Sequence, residues 1–259
     1  FIRWLFASVI LLIVGQKIEK PDWKEVCKQW PKITMLSMTG IIGYNIILYY
    51  ALYYTSPLNA ALVNSINPSF IAIVSAFYLK ERITKYHVFG IMISFLGVWI
   101  VLTKGNLLQA FNMKYNRGDL LVIAAVITWT SYSVISKKLT TVPPITSTGV
   151  SGLMAGIILF PFAMTSGVNY LNMSTLALTA VVYIILFPSL LSFVFWNIGV
   201  REIGAGKTGI FLNLNPVFTA FISRAMGKDI TWVQVIGGLL VFTGVYITTA
   251  FKGKTARLK

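Results

Sequence analysis

Long apolar runs separated by short polar links fill this chain from end to end. They occupy roughly 1–14, 33–54, 58–79, 86–103, 119–136, 146–165, 176–198, 208–226 and 231–251. At about 1.5 Å per helical residue, some 20 apolar residues cross the hydrocarbon layer of a bilayer, and every run but the first comes close to that length. The alternation of a membrane strand is absent, so a barrel is not predicted. Backbone polar groups in lipid must then be satisfied within helices. The pattern therefore predicts an all-α membrane protein with nine visible spans. Short links make consecutive helices antiparallel neighbours, and Pro57, Pro143–Pro144 and Gly204-Ala-Gly206 mark three of the turns. The longest links are 15–32 and 104–118; the Trp and Lys residues of the first predict a short interfacial helix.

Composition narrows the class. Of 259 residues 56% are hydrophobic and 11% charged, against about 25% charged in soluble domains. The acids Glu19, Asp22, Glu25, Glu81, Asp119, Glu202 and Asp229 all stand beside or between apolar runs. The net charge of +15 could belong to a nucleic-acid binder. Such proteins gather Lys and Arg on one face, whereas here these residues mark the ends of apolar segments. Nucleic acid is therefore not an expected partner. With link 15–32 in the cytoplasm, 16 of the 22 Lys and Arg fall on that side and 6 on the other. The excess of positive charge predicts a multi-pass plasma-membrane protein with a cytoplasmic C-terminus. Tyr49, Tyr50, Tyr53 and Tyr54 then lie at an outer helix end, as an aromatic belt or as pocket lining. The lone Cys27 offers no disulfide within the chain and falls in a cytoplasmic link. Phe1–Val14 reads as the remainder of a spanning helix rather than a signal peptide, so a further segment is expected upstream.

Two stretches, 56–105 and 204–253, read alike. Asn67-Pro68 pairs with Asn215-Pro216, Ile83-Thr84 with Ile230-Thr231, and Gly90 and Gly97 with Gly237 and Gly244. In the orientation above, helix 58–79 runs inward and 208–226 outward, so the repeats are inverted. That arrangement implies a pseudo-two-fold axis in the membrane plane and a site near mid-depth. An odd number of helices per half is then required, and one helix before Phe1 would complete ten.

The segments IRWLFASVILL (2–12), GYNIILYYALYYTSPLNAALVNSINPSF (43–70), YLKERITKYHVFGIMISFLGVWIVL (78–102), RGDLLVIAAVITWTSYSVISKKL (117–139) and FPSLLSFVFWNIGVREIGAGKTGIFLNLNPVF (187–218), with the GKDITWVQVIGGLLVFTGVYI that follows, resemble the drug/metabolite transporter superfamily. The resemblance is to its EamA-type family of ten-helix permeases. It implies inverted five-helix repeats at 1–104, lacking the first helix, and 117–253, with nine of ten transmembrane helices present. The chain departs from the pattern in that missing helix and in Lys228, which stands where the first half has Glu81.

Candidate functional residues follow from where polar groups fall within the runs. Pro68 and Pro216 cannot donate to the preceding turn, so each is expected to kink its helix and free a carbonyl at mid-depth. Asn64 and Asn67 lie one turn apart, while Asn213 and Asn215 diverge more. Such amides either bond between helices, at about 0.6 kcal/mol each, or border a central cavity. Asn45, Tyr49, Trp129, Tyr132 and Trp196 are pocket candidates of mixed aromatic and amide character, with packing or lipid contact as the other reading. Trp129 and Tyr132, three apart, share a helix face. Arg3, the one cation expected inside a span, either snorkels outward or meets a substrate carboxylate. Pro188 is expected to kink helix 176–198. Gly90, Ser94 and Gly97, with Gly237, Gly238 and Gly244, allow close helix approach, as do Gly152 and Gly156. His87, at a cytoplasmic helix end, is expected to be solvated, with a proton relay as the other reading.

No phosphate loop, metal-ligand cluster or nucleophile–base pair is visible, so no catalytic residue, metal or cofactor is expected. The expected partners are a small-molecule substrate and the lipid bilayer, with a homodimer left open. The leading function is a secondary transporter or exporter of small metabolites, amino acids first, by alternating access. The alternatives are a nucleotide-sugar or sugar-phosphate carrier, a lipid-modifying membrane enzyme, or a non-transporting scaffold. With no mid-span acid in view, movement down a gradient is expected unless the missing helix supplies a coupling group.

Overall fold

The structure, a computed structural model, describes residues 1–110, 116–165, 174–227 and 229–250, with the side chains of 109 and 110 left aside. Lys114, Lys228, Lys252, Lys254, Arg257 and Lys259 lie outside the described residues, as do the C-terminus and the end of the second repeat. Every regular element among the described residues is helical. Helix α1 is Ile2–Ile18 and α2 is Trp23–Lys28, the short helix expected in the first link, started by Asp22 accepting from Lys24 N. Then come α3 (Trp30–Ala51), α4 (Pro57–Tyr78), α5 (Lys85–Thr103), α6 (Arg117–Lys138), α7 (Pro144–Thr165), α8 (Thr175–Ile203), α9 (205–225) and α10 (Trp232–Ala250).

Capping residues set several of these boundaries. Ser56 accepts from Asn59 N ahead of α4, Thr84 from His87 N ahead of α5, and Ser174 from Ala177 N ahead of α8. Helix α5 stops where Lys104 and Gly105 take positive φ. Among the described residues seven helices, α3 to α8 and α10, are long and apolar enough to cross a membrane. The other two expected spans are helical as well, but α1 has 17 residues and α9 is interrupted by a 3-10 turn. Large exposed side chains such as Phe77, Leu176 and Trp232 match a surface solvated by lipid.

The chain divides into two compact units. The first comprises Phe1–Asn45 and Ser131–Glu202; the second comprises Ile46–Thr130 and the residues from Ile203 onward. In the first unit α1 packs on α7. Trp4, Ala7, Ser8, Leu11 and Gly15 are buried, and a Cβ on Gly152 would lie 2.8 Å from the Trp4 ring. Both α3 and α8 widen into a π turn, at Ser37–Gly43 and Ile185–Leu191. Pro188 lies inside the second of these turns. Residues of the first turn serve Asn45, whose Nδ2 donates to Ile41 O at 2.8 Å.

In the second unit α5 packs on α10 along the expected small-residue seam. A Cβ on Gly97 would lie 2.6 Å from Gly237 O, and one on Gly237 would lie 2.9 Å from Gly97 O. Backbone meets backbone there, which any larger side chain would prevent. His87, expected to be solvated, is instead 4% exposed, because α5 buries its first turn against the start of α9.

Candidate functional site

In the second unit the two Asn-Pro sequences start helical segments anew rather than bend continuous ones. Helix α4 runs as Pro57–Asn64 and again as Asn67–Tyr78, with Pro68 in the first turn of the second segment. Helix α9 passes through the 3-10 turn Ile210–Asn213 before Leu214–Ala225, which holds Pro216 in its opening turn. A first-turn N–H has no intrahelical partner, so proline is accommodated there.

The breaks border a cavity of about 360 Å³, which falls in the size range of a small-metabolite site. Asn64 and Ser65 come from α4, Lys104 from the end of α5, Asn213, Asn215 and Pro216 from α9, and Asp229 and Gln234 from the start of α10. Asn213 and Asn215, expected to diverge, both border the cavity, Asn213 as the last residue of the 3-10 turn and Asn215 in the segment that follows it. Asn67 does not line it. That residue is buried, with its Nδ2 3.5 Å from Asn64 Oδ1, at the limit of a hydrogen bond. Asn213 Nδ2 donates to Ser94 Oγ at 2.9 Å, fixing α9 against α5. Gln234 Nε2 donates to Val101 O at 3.3 Å.

The charges of the lining are few. Lys104 stands in a left-handed helix cap, and Asp229 lies 3.3 Å from Arg224 in a pair whose side chains are 62% and 96% exposed. Such a pair is heavily screened and leaves Asp229 available to other cations. Among the described residues the lining thus offers amides and hydroxyls, with one cation and one anion exposed at its edge, a set suited to a small zwitterion.

The first unit holds a second polar group. Asn197, 1% exposed, donates through Nδ2 to Tyr132 Oη at 2.7 Å and Thr148 Oγ1 at 2.8 Å, while its Oδ1 accepts from Ser136 Oγ at 2.7 Å. Trp196 Nε1 donates to Ser133 Oγ at 3.2 Å. These bonds join α6, α7 and α8 within the unit. Arg3 and Asn45 also meet, through Arg3 Nη2 donating to Asn45 Oδ1 at 3.0 Å, and the guanidinium lies 5.5 Å from the Trp4 ring centre. Trp129 and Tyr132 share a helix face but belong to different units, and both are buried. Tyr49 is 55% exposed on α3.

Three interactions went unseen in the sequence. Arg201, in the last turn of α8, donates to Val142 O and Ser147 Oγ. Glu19 accepts from Ile145 N and Thr146 N at the start of α7, both at 2.8 Å. Glu81 accepts from Ala205 N and Gly206 N at the start of α9, both at 3.0 Å. The helix starts themselves were visible as Pro-Pro and Gly-Ala-Gly, but the acids come from distant links that no local spacing connects. Among the described residues no group of His, Cys, Asp and Glu could hold a metal.

Comparison with known proteins follows the same lines. The sequence profile of the EamA-like transporter family matches residues 1–103 and 116–250. Uncharacterized transporter YyaM of Bacillus subtilis is 34% identical over 247 residues, covering 94% of this chain and 81% of that one. An uncharacterized transporter of Archaeoglobus fulgidus is 28% identical over 256 residues, covering 96% and 86%. Aromatic amino acid exporter YddG of Ancylobacter novellus is 27% identical over 210 residues, covering 81% and 62%. A solved crystal structure shares the fold at a TM-score of 0.78 and 21% identity, covering 96% of this chain and 86% of that one.

Proposed function

The chain belongs to the EamA-like transporter family, whose members are membrane carriers and not enzymes, and we propose that it exports amino acids or closely related small metabolites by alternating access. The single observation that carries this reading is the cavity between the two broken helices, where Asn64, Asn213 and Asn215 stand with Lys104 and Asp229. A zwitterion presents a carboxylate and an ammonium a few ångströms apart, which one cation, one anion and a set of amides complement. The name of the Ancylobacter relative supports the same class. A sugar phosphate or nucleotide sugar would call for several cations, and among the described residues this lining holds one.

The proposal includes two inverted repeats, at 1–104 and 117–253, and nine of ten spanning helices with the C-terminus in the cytoplasm. The breaks at Pro68 and Pro216, and the π turn at Pro188, are the positions at which the helices would flex. Ligand-induced stabilisation tests the cavity directly. A ligand at about 100 times its Kd stabilises by about 2.7 kcal/mol, so a panel of amino acids in detergent is expected to contain members that raise Tm by several degrees. The rise should vanish in Asn215→Leu. A panel with no effect on Tm, or one whose effect survives Asn215→Leu, contradicts the assignment.

A further inference from the structure

A second titratable group, apart from the cavity, surrounds the start of α9. Glu81 lays its carboxylate on bare backbone there, Oε1 on Ala205 N and Oε2 on Gly206 N. Gly204, at φ +93°, makes the seat possible, since a Cβ on it would lie 2.9 Å from Glu81 Oε1. His87 closes the same seat from α5. Its ring is 4% exposed, and Nε2 has no hydrogen-bond partner among the described residues. A Cβ on Gly206 would lie 2.9 Å from Ser75 Oγ, 3.1 Å from His87 Cε1 and 3.3 Å from Glu81 Oε2, so α4, α5 and the α4–α5 link converge on one backbone position.

Among the described residues the backbone of Gly206 is hydrogen-bonded to the imidazole, and the charged groups facing it are Glu81 from the link and Lys207 from α9. Lys85 lies two residues away on the ring's own helix. Among the described residues α10 brings Thr248 and Gly244, both uncharged, to the neighbouring turn at Gly90.

We propose that His87 and Glu81 form a proton-binding pair that links protonation to the release of α9, so that a proton takes part in the conformational cycle. In the closed arrangement the imidazole is neutral and the carboxylate belongs to the two amides. A proton added from solvent to the free ring nitrogen puts a buried cation at the positive end of a helix and beside Lys207. Glu81 pairs with that cation directly by turning from Ala205 and Gly206 to the imidazolium, which unfastens the start of α9. Release exposes the ring and favours its charged form, and by linkage the proton favours release to the same degree. The cluster supplies the coupling group that the spans, with no mid-helix acid in view, did not offer.

The test needs no substrate, so its failure would leave the amino-acid reading standing. Ser75 is 1% exposed beneath this seat, and Cys27, exposed, is the natural single thiol. In a Ser75→Cys variant both thiols are labelled with N-ethylmaleimide, and the ratio of their rates removes the common effect of pH on thiolate fraction. The ratio should rise about tenfold between about pH 8 and about pH 6, the range in which histidine titrates. Adding His87→Gln should hold it low at both values, and adding Glu81→Gln should hold it high at both. Lys207→Gln removes a neighbouring cation and should move the midpoint to higher pH. A ratio independent of pH in the His87 protein overturns the proposal, as does a pH dependence that survives His87→Gln or a midpoint unmoved by Lys207→Gln.

Discussion

Asn197 and Asn215 are the same residue type with opposite roles. Asn197 uses both ends of its amide on Tyr132, Thr148 and Ser136, all buried, whereas Asn215 is exposed on the wall of the cavity. Leaving buried polar groups unpaired costs about 1–3 kcal/mol each. Asn197→Leu is therefore expected to lower Tm in detergent by several degrees. Asn215→Leu should leave Tm without ligand nearly unchanged and act on ligand binding alone. Equal destabilisation by the two would show that Asn215 is structural. Residue type and depth in the run singled out the amides from the sequence. They could not separate Asn67, which is buried away from the cavity, from Asn64, which lines it, because one turn of helix separates the two and a break lies between.

Among the elements, the seam between α5 and α10 was legible, because small residues recur at helical spacing in both copies. Gly97→Ala would place a methyl 2.6 Å from Gly237 O, a backbone atom that cannot turn aside. Overpacking of this kind costs about 1–3 kcal/mol, and the variant should unfold several degrees below the parent. Gly156→Ala is the contrast: its Cβ would find nothing nearer than Leu5 Cα at 3.8 Å. Relief of the glycine penalty in a helix, about 1 kcal/mol, should leave that variant as stable as the parent or more so. Less of the helix irregularity was legible. Pro188 marked the π turn of α8, but nothing in SMTGIIG distinguishes the one in α3, since a π turn is an insertion accommodated by packing and not by residue type. The buried position of His87 was hidden for a related reason. Its neighbours in sequence are charged and aromatic, and the surface that covers it comes from α9.

For the whole molecule, hydropathy and the ordered repeat carried the membrane class and the family. Orientation rests on the distribution of Lys and Arg, and it gives a direct expectation for Cys27, an exposed thiol in a link placed in the cytoplasm. An impermeant maleimide should leave Cys27 unlabelled in intact cells and label it after permeabilisation. Labelling in intact cells would invert the topology.

The central claim is that broken helices α4 and α9 border a site for a small zwitterion which the carrier moves. Counterflow in proteoliposomes, with unlabelled amino acid inside and trace labelled amino acid outside, measures that claim most directly. The account predicts saturable accumulation of label for at least one amino acid, abolished by Asn215→Leu and retained in Gly156→Ala. Absence of counterflow across the full amino-acid panel, or counterflow indifferent to Asn215→Leu, would contradict it.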